Sequence, residues 1–309
     1  MKYKIIKNCQ ISNSKNLKKI LSLGLIPPVN QMSSIKSSPK DQLFFPTELF
    51  YCPTSHLVQL GVEVDKKVIF PKEYPYTSST TKILRDNFAE LANEVNQHFS
   101  LTDKDLVIDI GSNDGNLLSN FKKQCRILGI TPENIAKIAI KKGIPTIQDY
   151  FSKNLSLKIE KKYGKAKIIT ATNVFAHMDD ILTLLKSIKK LMKKDGLFIS
   201  ESHYLYDLIQ QNQYDTVYHE HLRYYSLTSL NFLFDKVDLE IIRAKKIKTH
   251  GGSIRVYAAK KGIYKKSKNL KSIFDIEKNL FQKKLYSFSK RVTKSKLDLY
   301  KLLSKIKKN

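Results

Sequence analysis

Three stretches of the chain concentrate groups that could do chemistry. The densest is Tyr218-His219-Glu220-His221, with Arg223, Tyr224 and Tyr225 close behind. Two imidazoles flanking a carboxylate are costly to bury unless they serve a purpose. Imidazole also titrates near neutrality, which suits it to taking and returning a proton. The second stretch is Thr172-Asn173-Val174-Phe175-Ala176-His177, and the third is His250-Gly251-Gly252-Ser253-Ile254-Arg255. His-Glu-His looks like a metal-ligand string, but it lacks the i, i+4 spacing that puts two histidines on one helix face. Acid–base chemistry is the reading this leaves.

Such groups need a scaffold. Leu106-Val107-Ile108-Asp109-Ile110 is an apolar strand that runs into Gly111-Ser112-Asn113-Asp114-Gly115 and then a helix beginning near Leu117 and reaching Lys123. A strand ending in Asp-x-Gly and turning through a second glycine into a helix lets backbone approach a ligand closely. The helix N-terminus would face an anionic group of that ligand. The spacing is Gly-x-x-x-Gly, unlike the Gly-x-Gly-x-x-Gly of dinucleotide sites. This favours S-adenosylmethionine, held by Asp109, Gly111, Asn113, Asp114 and Gly115. At the end of the next strand (residues 126–130), where an acidic residue is expected for ribose hydroxyls, Thr131 stands instead, with Glu133 two positions on.

Strand and helix then alternate: a helix at 135–142, a strand at 167–171, an amphipathic helix at 181–192 and a strand at 197–201. The alternation predicts a parallel sheet with helices on both faces. It also sets the Asn173–His177 stretch at the carboxyl edge of that sheet. A helix over residues 80–99 leads in, and one or two amphipathic helices over 272–308 follow. Residues 1–85 read as a loop-rich module with strands near Phe50 and at 57–60.

The net charge of +27 invites a nucleic-acid reading, but only six of the 55 basic residues are arginine. Base recognition favours the arginine fork, so nucleic acid is not an expected partner. About half of the excess lies from Lys260 onward, where 17 basic residues meet 3 acidic ones. No stretch has the length and apolarity of a membrane span. No apolar leader follows Met1, so a cytoplasmic protein is expected.

In order along the chain, Tyr74-Pro75-Tyr76-Thr77-Ser78-Ser79, the Asp109–Gly115 turn, Thr172–His177, Tyr218–His221 and His250–Arg255 resemble the S-adenosylmethionine-dependent C-methyltransferases of nucleotide-linked deoxysugars. The resemblance implies an α/β fold. It comprises a Rossmann-like class I methyltransferase domain over 86–258, a small zinc-ribbon-like module over 1–85 and a helical extension over 259–309. It implies methylation of a 4-keto sugar through an enolate, with His221 as base and Glu220 orienting it. Tyr218 and His177 would donate to the enolate oxygen. Asn173 and Thr131 would serve the cofactor, and Tyr76, Ser79, His250 and Arg255 the substrate.

The sequence departs from that family twice. Of two Cys-x-x-Cys pairs, Cys9 and Cys52 remain, and Ser12 and Ser55 replace the others. Four N or S ligands are wanted for structural zinc, so zinc is not expected; His56 is a conceivable third ligand. The chain also ends at Asn309, about where the family's C-terminal domain is expected to begin. That predicts a chain lacking this domain, working alone or with a separate chain that supplies it. The alternative is a truncated or split-enzyme remnant that binds cofactor or a partner without activity of its own.

Overall fold

The computed structural model describes residues 2–31, 34, 36, 38, 42–70 and 77–308. Its centre is a seven-stranded sheet in the order β12-β13-β10-β9-β6-β7-β8. These strands are β6 (Leu106–Ile110), β7 (Arg126–Ile130), β8 (Thr146–Ile147), β9 (Ala166–Thr172), β10 (Met192–His203), β12 (Leu239–Ile247) and β13 (Ser253–Lys260). β6 is buried at every position, as a central strand covered on both faces must be. Leu84, Phe88, Leu91 and Val95 line one side of the helix Lys82–Phe99 and close one face. The helix Ile181–Leu191 packs on the other, its N-terminus capped by Asp180.

The sheet is not wholly parallel. β13 runs antiparallel to both β10 and β12. The turn through His250, Gly251 and Gly252 is too short for a crossover, so β12 and β13 can only form a hairpin. The helix expected over 117–123 is one turn, Asn116–Ser119. The Asn120 side chain donates to the carbonyls of Asn116 and Leu117, which competes with continuation of the helix.

The N-terminal residues form two small sheets. β1 (Tyr3–Ile5) pairs with β5 (Val62–Val64). The other sheet has the order β11-β4-β3-β2, with β2 (Lys18–Ile26), β3 (Phe45–Cys52), β4 (Leu57–Leu60) and β11 (Arg223–Tyr224). β11 follows directly after the distant Tyr218–His221 segment, so the first module is completed by residues far along the chain. The helices Asn269–Asn279 and Leu285–Lys308, joined by one π-helical segment, pack back against both parts. Glu277 is buried beneath them and accepts from the Tyr204 hydroxyl and from the backbone of Leu227 and Thr228, capping the helix Leu227–Asp235. No described helix is long and apolar enough to cross a membrane.

Candidate active site

A cleft of about 580 Å³ opens at the carboxyl edge of the sheet, within the range of small-molecule sites. The chain leaves β6 toward β7 on one side and returns through β9 on the other. The crevice between β6 and β9 is therefore the topological switch where open α/β sheets bind ligands.

Asp109, Gly111, Asn113, Thr131 and Asn173 all line the cleft. Gly111 has φ +77°, and a Cβ there would lie 2.8 Å from Val174; only glycine leaves the cradle open. Asn113 and Asn173 hold left-handed turns at φ 49° and 55°, which asparagine tolerates better than most residues. Asp109 accepts from Thr170 Oγ1 at 2.6 Å, and burial pushes its carboxyl up to about 7. Thr131 Oγ1 donates to Glu133 at 2.6 Å, and both line the cleft. A carboxylate therefore stands in the cleft two residues after the end of β7.

Two turn residues have other duties. Asp114 is fully buried and accepts from Ser78 Oγ (2.7 Å) and Lys142 Nζ (2.8 Å), with Ser79 also bonding to it. The Ser78 amide donates to Asn113 Oδ1 at 2.9 Å. Asp114 and Ser79 therefore clasp the incoming chain onto the turn, outside the cleft lining. A Cβ on Gly115 would press on Ile144 and Ala139, so this glycine serves packing. Tyr76 lies outside the described residues.

The Tyr-His-Glu-His segment divides its labour. His221 lines the cleft; its Nδ1 sits 3.0 Å from the Thr216 carbonyl and its Nε2 3.1 Å from the Tyr218 hydroxyl. A carbonyl can only accept, so Nδ1 carries the proton and Nε2 keeps a lone pair. Desolvation, then the neighbouring His177, holds the imidazole well below its usual pKa. The ring is neutral at pH 7. Glu220 lines the cleft but accepts from Asn30 Nδ2. With both His221 nitrogens already engaged, Glu220 does not orient that ring directly. His219 turns away from the cleft, between Thr47 Oγ1 (3.0 Å) and the Pro46 carbonyl (3.2 Å). Arg223 donates to the carbonyls of Met178 and Asp179, binding the segment to the loop after β9.

His177 also lines the cleft. Nδ1 faces the Glu220 carbonyl at 2.6 Å and Nε2 the Asn173 carbonyl at 3.0 Å. A carbonyl can only accept, and burial lowers the His177 pKa, so the neutral ring donates to one of these two carbonyls and bridges the two loops by that single bond. His250 lines the cleft from the turn before β13. Arg255 does not: it is fully buried between the sheet and the helix Lys82–Phe99. Its guanidinium donates to Glu201 (2.9 Å), Glu94 (3.0 Å) and Asn87 Oδ1 (2.7 Å).

Two cleft residues escaped the sequence reading. His203 ends β10 and pairs with Gln213 at 2.8 Å; its place at a strand's carboxyl end was a usable signal. Asn30 is brought in from the N-terminal module, and nothing in its spacing marks it.

The zinc-ribbon positions converge without a zinc donor set. Cys9 Sγ lies 3.1 Å from Ser55 Oγ, and Ser12 Oγ lies 3.5 Å from Cys52 Sγ. His56 is turned away, with its Nδ1 2.7 Å from the Tyr51 hydroxyl. Among the described residues no group of three or more His, Cys, Asp or Glu could hold a metal ion. Two thiols and two hydroxyls do not fit structural zinc.

A family model described as "Methyltransferase domain" matches residues 81–244, more than half of the chain, and the chain belongs to that family. Its members take their methyl group from S-adenosylmethionine, which the glycine cradle beside Val174 fits. A "Putative zinc binding domain" model matches residues 9–70 and a "C-methyltransferase C-terminal domain" model matches 248–309. The last match corrects the expectation that the C-terminal domain is lacking: β13 and the terminal helices belong to it. Nothing supports a separate chain supplying it. The chain is 31% identical over 256 residues to C-methyltransferase NovU of Streptomyces niveus, covering 82% of this chain and 61% of that protein. It therefore spans under two thirds of that relative's length. In fold it is similar to an S-adenosylmethionine-dependent methyltransferase from Clostridium acetobutylicum (14% identity, TM-score 0.43, 60% of this chain and 94% of that one). It is also similar to magnesium protoporphyrin IX methyltransferase from Synechocystis with bound SAM (12% identity, TM-score 0.43, 57% and 79%).

Proposed function

We propose that this chain is an S-adenosylmethionine-dependent C-methyltransferase whose acceptor is a nucleotide-linked 4-keto-deoxysugar. The observation that carries the reading is the state of His221, a neutral imidazole with Nε2 as its basic atom, in the same cleft as the Gly111 cradle. The motif resemblance and the likeness to a C-methyltransferase support the carbon acceptor.

Carbon methylation needs a carbanion, and a proton next to a ketone is acidic enough to give one. His221 Nε2 takes the C3 proton, and the C–H electron pair passes into the enolate. Once Nε2 is protonated, its contact with Tyr218 reverses direction: the nitrogen donates and the phenol oxygen accepts. The Tyr218 hydroxyl, keeping its proton, then donates a hydrogen bond to the enolate oxygen, where negative charge develops. Asn173 and Gly111 shape the cofactor side, and Glu133 with Thr131 offers acceptors to ribose hydroxyls. Bound S-adenosylmethionine supplies the electrophilic methyl, with the bonding pair leaving on a neutral thioether. The nucleophile and that methyl must be in line, so the rigid turns at Asn113 and Asn173 matter as much as the base.

Two measurements test this. Calorimetric titration with S-adenosylmethionine should show binding that Gly111→Arg abolishes. In deuterium oxide, a nucleoside-diphosphate 4-keto-6-deoxyhexose should exchange its C3 proton with the wild-type chain and not with His221→Asn. Exchange at the wild-type rate in that variant would refute His221 as the base.

A further inference from the structure

We infer that the N-terminal module is a zinc ribbon converted into a metal-free knot, which folds without zinc while its backbone still presents four ligand positions around one point. The two knuckles are built alike. The Asn13 amide donates to the Cys9 carbonyl at 2.9 Å, and the His56 amide to the Cys52 carbonyl at 2.8 Å. In each, the residue four places after the cysteine takes a left-handed φ, 60° at Asn13 and 56° at His56. In each, the third residue after the cysteine is a serine. The side chains then pair across the knuckles, Cys9 with Ser55 and Ser12 with Cys52. A metal would sit at this crossing point, and the hydrogen bonds close it instead.

The chemistry explains why zinc is dispensable. A serine hydroxyl stays protonated at neutral pH, so two of the four positions cannot bind as anions. The one imidazole nearby is held by Tyr51 and packs on Phe281, with ring centroids 4.7 Å apart. Stability comes from elsewhere. Cys9, Ile11, Cys52 and Leu57 are buried in the same apolar cluster as β6, β9 and β10. The knuckles are embedded in the main core, whereas an independent zinc ribbon must fold around its ion.

The inference goes beyond the catalytic reading and its test does not depend on activity. Wild-type protein made in zinc-supplemented medium should carry far less than one equivalent of zinc by elemental analysis, and a chelator should leave its melting curve unchanged. Ser12→Cys/Ser55→Cys should bind one equivalent of zinc and, with cobalt(II), show the visible bands of a tetrahedral thiolate site. Its melting temperature should rise with metal and fall with chelator. Cys9→Ser/Cys52→Ser should keep a cooperative, chelator-insensitive melt. Stoichiometric zinc in the wild type, or a wild-type melt that collapses in chelator, would overturn the metal-free knot. A folded double-cysteine variant without cobalt bands would overturn the convergence of the four positions. Should that variant fail to fold, the wild-type zinc content and melt still decide the first claim, and Ser55→Cys alone decides the second by its cobalt spectrum.

Discussion

Replacing Arg255 with Met should destabilise the chain without loosening its cofactor site. Arg255 and Glu201 are cross-strand partners on β13 and β10, and both side chains are fully buried. The same guanidinium reaches Glu94 on the helix Lys82–Phe99. Met keeps most of the volume and removes the charge, leaving the Glu201 carboxylate in a desolvated core with neutral donors, Asn87 and Thr249, in place of the guanidinium. Breaking a buried ion pair from one side costs about 3–5 kcal/mol, a large share of a typical domain stability of roughly 5–15 kcal/mol. Urea unfolding should register this loss. Calorimetry should give an S-adenosylmethionine affinity within about threefold of wild type, since Arg255 is outside the cleft. Adding Glu201→Gln should recover part of the stability, because the second change removes the stranded charge. If Arg255→Met keeps wild-type stability and weakens sugar-nucleotide binding instead, the residue reaches the ligand and the structural argument fails.

Other consequences are equally open to measurement. Glu94 is lowered to about 2 by hydrogen bonds from Lys245 and Tyr257 and by the charge of Arg255, against the opposing effect of burial. A depressed folded-state pKa gives stability that is present above the unfolded value and lost as pH falls. About 3 kcal/mol should therefore fade between roughly pH 4.5 and pH 2, and Glu94→Gln should flatten that part of the stability–pH curve. Burial and the neighbouring His177 lower the pKa of His221, the proposed base. Thus kcat/KM should stay flat from about pH 8 down to pH 6.5 and fall only at lower pH; an acid limb centred above pH 7 would contradict the assigned environment. Asn30→Ala removes a donor from Glu220. Glu220 is buried, so the lost charge-assisted hydrogen bond should cost about 1–3 kcal/mol of stability in urea unfolding, while the S-adenosylmethionine affinity by calorimetry holds.

The sheet was legible because its inner strands are unbroken apolar runs, and β6, β7 and β9 fall where those runs predict. The glycine turn was legible because backbone geometry restricts the residue type. Charge at strand ends misled the reading twice: Arg255 and Asp114 look like ligand groups in sequence and are structural anchors in space. One dimension cannot separate a charge that meets a ligand from one that meets a buried partner. Asn30 was invisible for a related reason, since its partner Glu220 lies 190 positions away. Thr131 and Glu133 could be read only as neighbours in the sequence; the fold shows the two bonded to each other at the end of β7.

The pairing of β11 with β4 also bears on how the chain is made. Val58 and Gln59 are opposed by Tyr224 and Arg223, which leave the ribosome about 160 residues later, roughly 10–30 s at common synthesis rates. Through that interval β4 presents an open edge, the kind of surface that recruits another strand or a chaperone. The Tyr218–His221 segment just before it is therefore seated only when this late strand docks. Partly synthesised chains should be the aggregation-prone species, and slowing translation beyond β4 should lower the soluble yield of a protein whose finished fold is unchanged.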